Sequence, residues 1–139
     1  MEILLIEDNP ADIRLTKEAL KEADQEVNLN VALDGVSALE YLHATGISPD
    51  HPRPDLILLD LNLPKKNGWQ VLAEVKADSY LQTIPIVVLT TSTSHEDVQA
   101  SYHLHANCYV YKPMDLMSFI EVILSIQSYW YRTAVSPVE

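Results

Sequence analysis

The chain reads as an α/β protein with a five-stranded parallel sheet covered by helices on both faces, and three observations predict this. Short apolar runs stand at Ile3–Ile6, Leu56–Leu59 and Ile86–Leu89, with the length and composition of strands buried on both faces. Stretches of helical period separate them, and right-handed crossovers turn such an alternation into a parallel sheet. Polar residues close each run, namely Glu7 and Asp8, then Asp60, then Thr90, while a fourth run, Cys108–Tyr111, ends at Lys112. In open α/β sheets ligand chemistry gathers at the carboxyl ends of the strands, where strand order reverses.

The elements follow in order. After the first run, Asn9 can cap a helix and Pro10 can take its first position. Ala11, Leu15, Ala19 and Ala23 then recur every four residues, with Ile13 and Leu20 widening the face. Val27–Leu33 alternates as a strand, and Asp34-Gly35 turns into a helix bearing Ala38, Leu39 and Leu42. Residues 43–54 hold Gly46, Pro49, Pro52 and Pro54 and read as a loop. Asn67-Gly68 opens a helix with Trp69, Val71, Leu72 and Val75. Pro85 sits at the mouth of the next strand, a tolerated position. Ser94 caps a short helix ending near His103, and Asp115 starts the last helix. The string is βαβαβαβαβα, without repeat or linker, over 139 residues, enough for one domain around one core. Of the plausible strand orders, the flavodoxin-like 2-1-3-4-5 sets the first and third strands side by side and brings Asp8 next to Asp60. That is the order expected.

Composition narrows the function. A hydrophobic fraction of 47% suits a folded globular chain. Nine Lys+Arg against twenty Asp+Glu leave a net charge of -11, which opposes unspecific binding to nucleic acid or to an anionic membrane. The single cysteine, Cys108, has no internal partner and reads as a buried small hydrophobe. The first apolar run is too short and too acidic for a signal peptide, and no run approaches the roughly 18 residues of a membrane span. A cytoplasmic protein is expected.

Three carboxylates meeting at one sheet edge repel one another and call for a compensating cation. Magnesium suits them, being hard, oxygen-seeking and content with one or two carboxylates plus a phosphate. Beside it a carboxylate oxygen can attack a phosphoryl group and become an aspartyl phosphate. Asp60, central among the strands, is the best nucleophile. Lys112 would supply charge to the equatorial oxygens and Thr90 a hydroxyl. Each piece alone has a plainer reading. Glu7-Asp8 could only cap the first helix, Thr90–Ser94 could be a polar turn, Lys112 a surface lysine and Tyr109 a half-buried strand aromatic. His95, His103 and His105 lack the partners of a transition-metal shell.

At these residues the chain resembles the receiver domain of two-component response regulators over about residues 1–128. The likeness rests on Glu7-Asp8, on Asp60-Leu61-Asn62-Leu63-Pro64, and on Gly68, Thr90 and Lys112-Pro113 in this order and spacing. It implies a CheY-like receiver fold and a phosphoprotein in which Asp60 takes its phosphoryl group from a phosphohistidine of a sensor histidine kinase. Asp8 and Asp60 would bind Mg2+ directly together with the backbone carbonyl of Asn62, and Glu7 through a metal-bound water. Thr90 would shift toward the phosphoryl group and Tyr109 would turn inward with it as the switch aromatic. Lys112-Pro113 is expected to be cis, and Asn62 and Ser92 to tune hydrolysis of the acyl phosphate.

The last helix adds an output surface. From Leu116 to Tyr131 apolar residues dominate, and Ser118, Glu121, Ser125 and Ser128 form one narrow polar stripe, with Gln127 apart from it. Apolar surface left over after packing on the sheet marks a protein interface. A homodimer through Leu124, Tyr129, Trp130 and Tyr131 is expected, with 129–139 as an extension and the tail 132–139 reaching the partner; the plainer alternative is a helix overlaid by its own tail. The lengthened loop before the third strand and the aromatic-rich end make the chain similar to stand-alone response regulators paired with bacterial and cyanobacterial phytochromes. Output would pass to a downstream protein target or a phosphotransfer protein, not to nucleic acid or a membrane. Two rival functions are a phosphohydrolase forming an aspartyl phosphate and a degenerate receiver serving only for dimerisation. The first usually needs a second acid where Asn62 stands, and the intact set of acids, Thr90 and Lys112 argues against the second. A flavin-binding protein of this topology is disfavoured, because no phosphate-cradling loop follows the first strand here and Glu7 and Asp8 would repel a phosphate unless metal-bound.

Overall fold

A computed structural model describes residues 1–61, 63, 67–91, 99, 106 and 108–133. Its five strands are β1 (Glu2–Ile6), β2 (Asn28–Ala32), β3 (Leu56–Asp60), β4 (Ile86–Thr90) and β5 (Cys108–Tyr111). All neighbours pair parallel in the order β2-β1-β3-β4-β5, as the sequence predicts. The helices are α1 (Pro10–Leu20), α2 (Gly35–Ala44), α3 (Gly68–Ala77) and α4 (Leu116–Ser128), and a wider π-helical turn (Tyr129–Thr133) continues α4. The helix read at 94–103 (apart from residue 99), the three histidines near it and the tail beyond 133 lie outside the described residues.

Strand parity divides the core into two layers. Leu4, Ile6, Ile57, Leu59, Ile86 and Val88 pack with Leu39 and Leu42 of α2 and with Val71, Leu72 and Val75 of α3. On the opposite face Ile3, Leu5, Leu56, Leu58, Val87 and Leu89 pack with Ala19 and Leu20 of α1 and Phe119 and Ile123 of α4. β3 and β4 are buried at every residue, so their apolar runs carry no alternation. β5 is an edge strand, and that decides Cys108: it is half-buried against the α1/α4 layer rather than wholly buried as expected.

Side-chain caps set where the helices begin. Asn9 Oδ1 accepts from the amides of Ala11 (2.9 Å) and Asp12 (3.2 Å), with Pro10 behind it. Asp34, Asn67 and Asp115 cap α2, α3 and α4, and Asn67 and Gln70 form a reciprocal capping box. The helical period read through Ala23 stops earlier, since α1 ends at Leu20; Ala11 is exposed, and Thr16 joins Ala19 and Leu20 on the buried side. Thr16 tolerates burial because its hydroxyl donates to the Asp12 carbonyl at 2.8 Å.

The proline-rich loop is tied to the body. Arg53 donates to the Tyr80 carbonyl (3.1 Å) and to Thr83 Oγ1 (2.9 Å) while its guanidinium lies over the Tyr80 ring, and Tyr41 Oη donates to the Pro52 carbonyl (2.9 Å). Lys76 Nζ donates to the carbonyls of Gln82 (3.0 Å) and Ile84 (2.9 Å) and so fixes the approach to β4; burial pushes its pKa down to about 8. No peptide bond among the described residues is cis. Lys112-Pro113 is therefore trans, contrary to expectation and in the state an X–Pro amide favours by about 0.5–1 kcal/mol.

Candidate functional site

Register explains why distant acids converge. Ile6 pairs with Leu59, so the next residues, Glu7 and Asp60, lie level across the β1–β3 junction. On the other side of β3, Asp60 pairs with Leu89, and Thr90 pairs with Tyr111. Lys112 follows at once, its amide donating to the Thr90 carbonyl at 2.7 Å. Parity then sorts the side chains. Glu7, Asp60 and Lys112 continue the parity of Leu5, Leu58 and Val110, the layer under α1 and α4. Thr90 continues that of Val88 on the opposite layer, against which Tyr109 also packs. Glu7, Asp60 and Lys112 therefore stand on one face of the sheet edge, and Thr90 and Tyr109 on the other.

The site itself is compact. Ligand oxygens from Glu7, Asp8 and Asp60 all lie within 4.8 Å of one another. Glu7 and Asp60 are buried, and Asp8 is exposed toward solvent. Lys112 Nζ contacts Glu7 Oε2 at 2.9 Å, Asp12 Oδ2 at 2.9 Å and Asp60 Oδ2 at 3.4 Å. Glu7 Oε1 also accepts from the Asn9 amide at 3.1 Å, which orients that carboxylate toward the cluster. Gly68 allows the loop after β3 to close: a Cβ there would stand 2.6 Å from Leu61 Cα and 2.7 Å from the Asp60 carbonyl oxygen.

Three carboxylates, those of Glu7, Asp12 and Asp60, contact one ammonium, and the protonation of Glu7 and Lys112 reflects it. Burial, and next a hydrogen bond shared with Asp60, push Glu7 up to about 7, although Lys112 pulls the other way. Near neutral pH a proton on Glu7 thus takes up part of the charge. Burial alone would lower Lys112, but its hydrogen bonds to Asp12 and Glu7 and the charges of Glu7 and Asp60 outweigh that and hold it well above the usual lysine value. The donor set is all oxygen, partly buried and open to solvent at Asp8, so it fits a hard divalent cation that keeps some of its waters.

Of the residues singled out from the sequence, Glu7, Asp8, Asp60 and Lys112 come together here, and Thr90 lies buried beside the Lys112 backbone. Tyr109 is half-buried. Asn62, whose carbonyl was expected to join the metal, and Ser92 lie outside the described residues. Asp12 was not singled out. An acid in the first turn of a capped helix reads as a partner of the helix dipole, and only its place four residues after Asp8, in the first turn of the helix that follows, hinted at the site. Leu124 and Trp130 are half-buried, with Trp130 packed against its own α1/α4 layer, whereas Tyr129 and Tyr131 stand about half exposed at 52% and 50%.

A doubly covered parallel sheet with an acid cluster and a lysine at its carboxyl edge defines a class of phosphoryl-handling signalling domains. A family model of the response regulator receiver domain matches residues 3–124, and the chain belongs to that family. It is 47% identical over 135 residues to the response regulator Rcp1 of Synechocystis sp., covering 97% of this chain and 92% of that one. The crystal structure of the phosphorylated cyanobacterial phytochrome response regulator RcpA is similar at TM-score 0.92 and 46% identity, covering 98% of this chain and 97% of that one. The Mn2+-bound form of response regulator Rcp1 gives TM-score 0.90 and 47% identity, covering 99% of both.

Proposed function

We propose that this response regulator acts as a single-domain receiver accepting one phosphoryl group on Asp60 from the phosphohistidine of a sensor histidine kinase, with Mg2+ as cofactor. The observation that carries the reading is the convergence of Glu7, Asp8 and Asp60 with Lys112 at 3.4 Å from Asp60. A carboxylate oxygen of Asp60 forms the new P–O bond while the donor's P–N bond breaks and its electron pair stays on the imidazole. Glu7, Asp8 and Asp60 would hold the magnesium, joined by the Asn62 carbonyl, and the ion would supply positive charge to the phosphoryl oxygens. Lys112 and Thr90 bind those oxygens from the protein side. Movement of Thr90 then biases Tyr109, which packs on the same layer, and so alters affinity for the next partner.

Transfer to Asp60 is one event per chain, and self-dephosphorylation closes the cycle, so the protein is a phosphoacceptor rather than a hydrolase. A phytochrome is the kinase we favour, because RcpA, 46% identical to this chain, is by its own description a cyanobacterial phytochrome response regulator. Residues 1–128 would form the receiver and 129–139 an extension. A homodimer would use α4 and β5, where Tyr111, Met114, Leu116, Met117, Tyr129 and Tyr131 expose apolar surface and Met117, Ile120 and Leu124 run at i, i+3 and i+7. A phosphotransfer protein or other protein target would receive the output in the cytoplasm; no helix of the described residues is long and apolar enough to cross a membrane.

Incubation with acetyl phosphate and Mg2+ followed by intact-mass analysis tests the central step. One phosphoryl addition is expected, abolished by chelation and by Asp60→Asn. No addition, or multiple-turnover hydrolysis of a phosphoester, overturns it.

A further inference from the structure

Lys112 carries three N–H donors and meets three carboxylates, of which the phosphoacceptor gets the longest contact. Glu7 and Asp12 are each at 2.9 Å and Asp60 at 3.4 Å. The three partners also differ in access to water: the side chains of Glu7 and Asp60 are 4% and 11% exposed, and that of Asp12 is 24% exposed. We propose that Asp12 is a positioning residue, which holds the Lys112 ammonium off Asp60 in the resting protein and surrenders it to the phosphoryl oxygens once Asp60 is modified. This rests on Asp60 being the phosphoacceptor.

Three arguments support an exchangeable contact at this position. An aspartyl phosphate brings more negative charge and more acceptor oxygens than a carboxylate, so one ammonium bond must be given up to it. Releasing Asp12 costs least, since its carboxylate is the most exposed of the three and regains water, whereas Glu7 is nearly enclosed and would lose the ammonium away from solvent. The Asp12 backbone is also fixed, its amide bonded to Asn9 Oδ1 and its carbonyl to Thr16 Oγ1. The carboxylate is thus presented from a set point on α1, and its loss of Lys112 uncouples the start of α1 from the end of β5. The rival explanation, an acid that only favours the helix N-terminus, involves no exchange.

The test is titration of the full chain with beryllofluoride, a phosphoryl mimic, at saturating Mg2+, read by tryptophan fluorescence; Trp69 lies in the first turn of α3, next to Gly68. A partly exposed ion pair is worth up to about 1 kcal/mol, or roughly fivefold in affinity. Asp12→Asn is therefore expected to bind beryllofluoride about three- to fivefold more tightly, and Asp12→Glu, which keeps the charge, to stay within about twofold of the parent. In a Lys112→Met background the Asp12→Asn gain should vanish. Unchanged or weaker binding by Asp12→Asn, or an equal gain without Lys112, overturns the proposal and leaves the phosphoacceptor standing. A parent protein that never saturates with beryllofluoride removes the phosphoacceptor, and the proposal with it.

Discussion

The carboxyl edge of β1 and β3 and the outer edge formed by β5 and α4 are built to opposite specifications. At the first, ionisable groups are buried at 2.9–3.4 Å from one another beneath strands with no exposed residue in β3 or β4. At the second, the strand residues are only partly covered, and Met114, Leu116 and Met117 stand 91%, 51% and 66% exposed. Buried charge is costly unless its geometry is held, so the first region must be rigid. Thinly covered apolar surface has little to hold it in one arrangement, so it can change conformation or partner at small cost. Thr90 and Lys112 join the two regions through one backbone hydrogen bond. A local charge event can therefore be read out at a soft edge.

Mutations can break that contrast or sharpen it. Leu58→Ala, in the fully buried strand, should cost about 3 kcal/mol in denaturant unfolding, against about 1 kcal/mol for Val110→Ala in the half-buried edge strand; equal costs would erase the distinction. Gly68→Ala drives a Cβ against the backbone of Asp60 and Leu61, and should cost about 2 kcal/mol. Its Mg2+ affinity, measured by fluorescence titration, should fall with it, while secondary structure by circular dichroism stays intact.

Acidity provides a smaller effect with a definite sign. Folding raises Glu7 from 4.5 to about 7, so between those values the native state binds more protons than the unfolded one. Stability of the metal-free protein must then fall as pH rises through that window. Thermal melts should show a decline of several degrees, reduced in Glu7→Gln, and Mg2+ should restore more stability at pH 8 than at pH 5.5 because it displaces the Glu7 proton. A slope unchanged in Glu7→Gln would assign the pH dependence elsewhere. The smallest stability effect belongs to the outer edge: Met117→Ser with Tyr131→Ser should alter unfolding free energy by no more than about 0.5 kcal/mol. Sedimentation velocity should nevertheless show the dimer lost, and an unchanged sedimentation coefficient would remove α4 from the interface.

Much of this molecule is written locally. The caps at Asn9, Asp34, Asn67 and Asp115 and the unbroken apolar runs of β3 and β4 are short-range signals, and the structure follows them. Acids, threonine and lysine at the strand ends were legible for the same reason, since a parallel sheet sends all strand ends to one edge. Other features were not legible. Gln127, apart from the polar stripe of α4, is buried and donates to Gln25 at 3.2 Å, a contact between chain segments about a hundred residues apart. Cys108 is less buried than its run implies because the edge position of β5 depends on the whole sheet.

The sequence by itself determined the alternation of strands and helices and which chemical groups stand at the strand ends, because periodicity and capping act within a few residues. Only the tertiary structure decided that Lys112 is shared among Glu7, Asp12 and Asp60, that Glu7 holds its proton up to about 7, and which part of α4 faces solvent. Those are properties of distance and burial between segments, and neither quantity exists until the chain has folded.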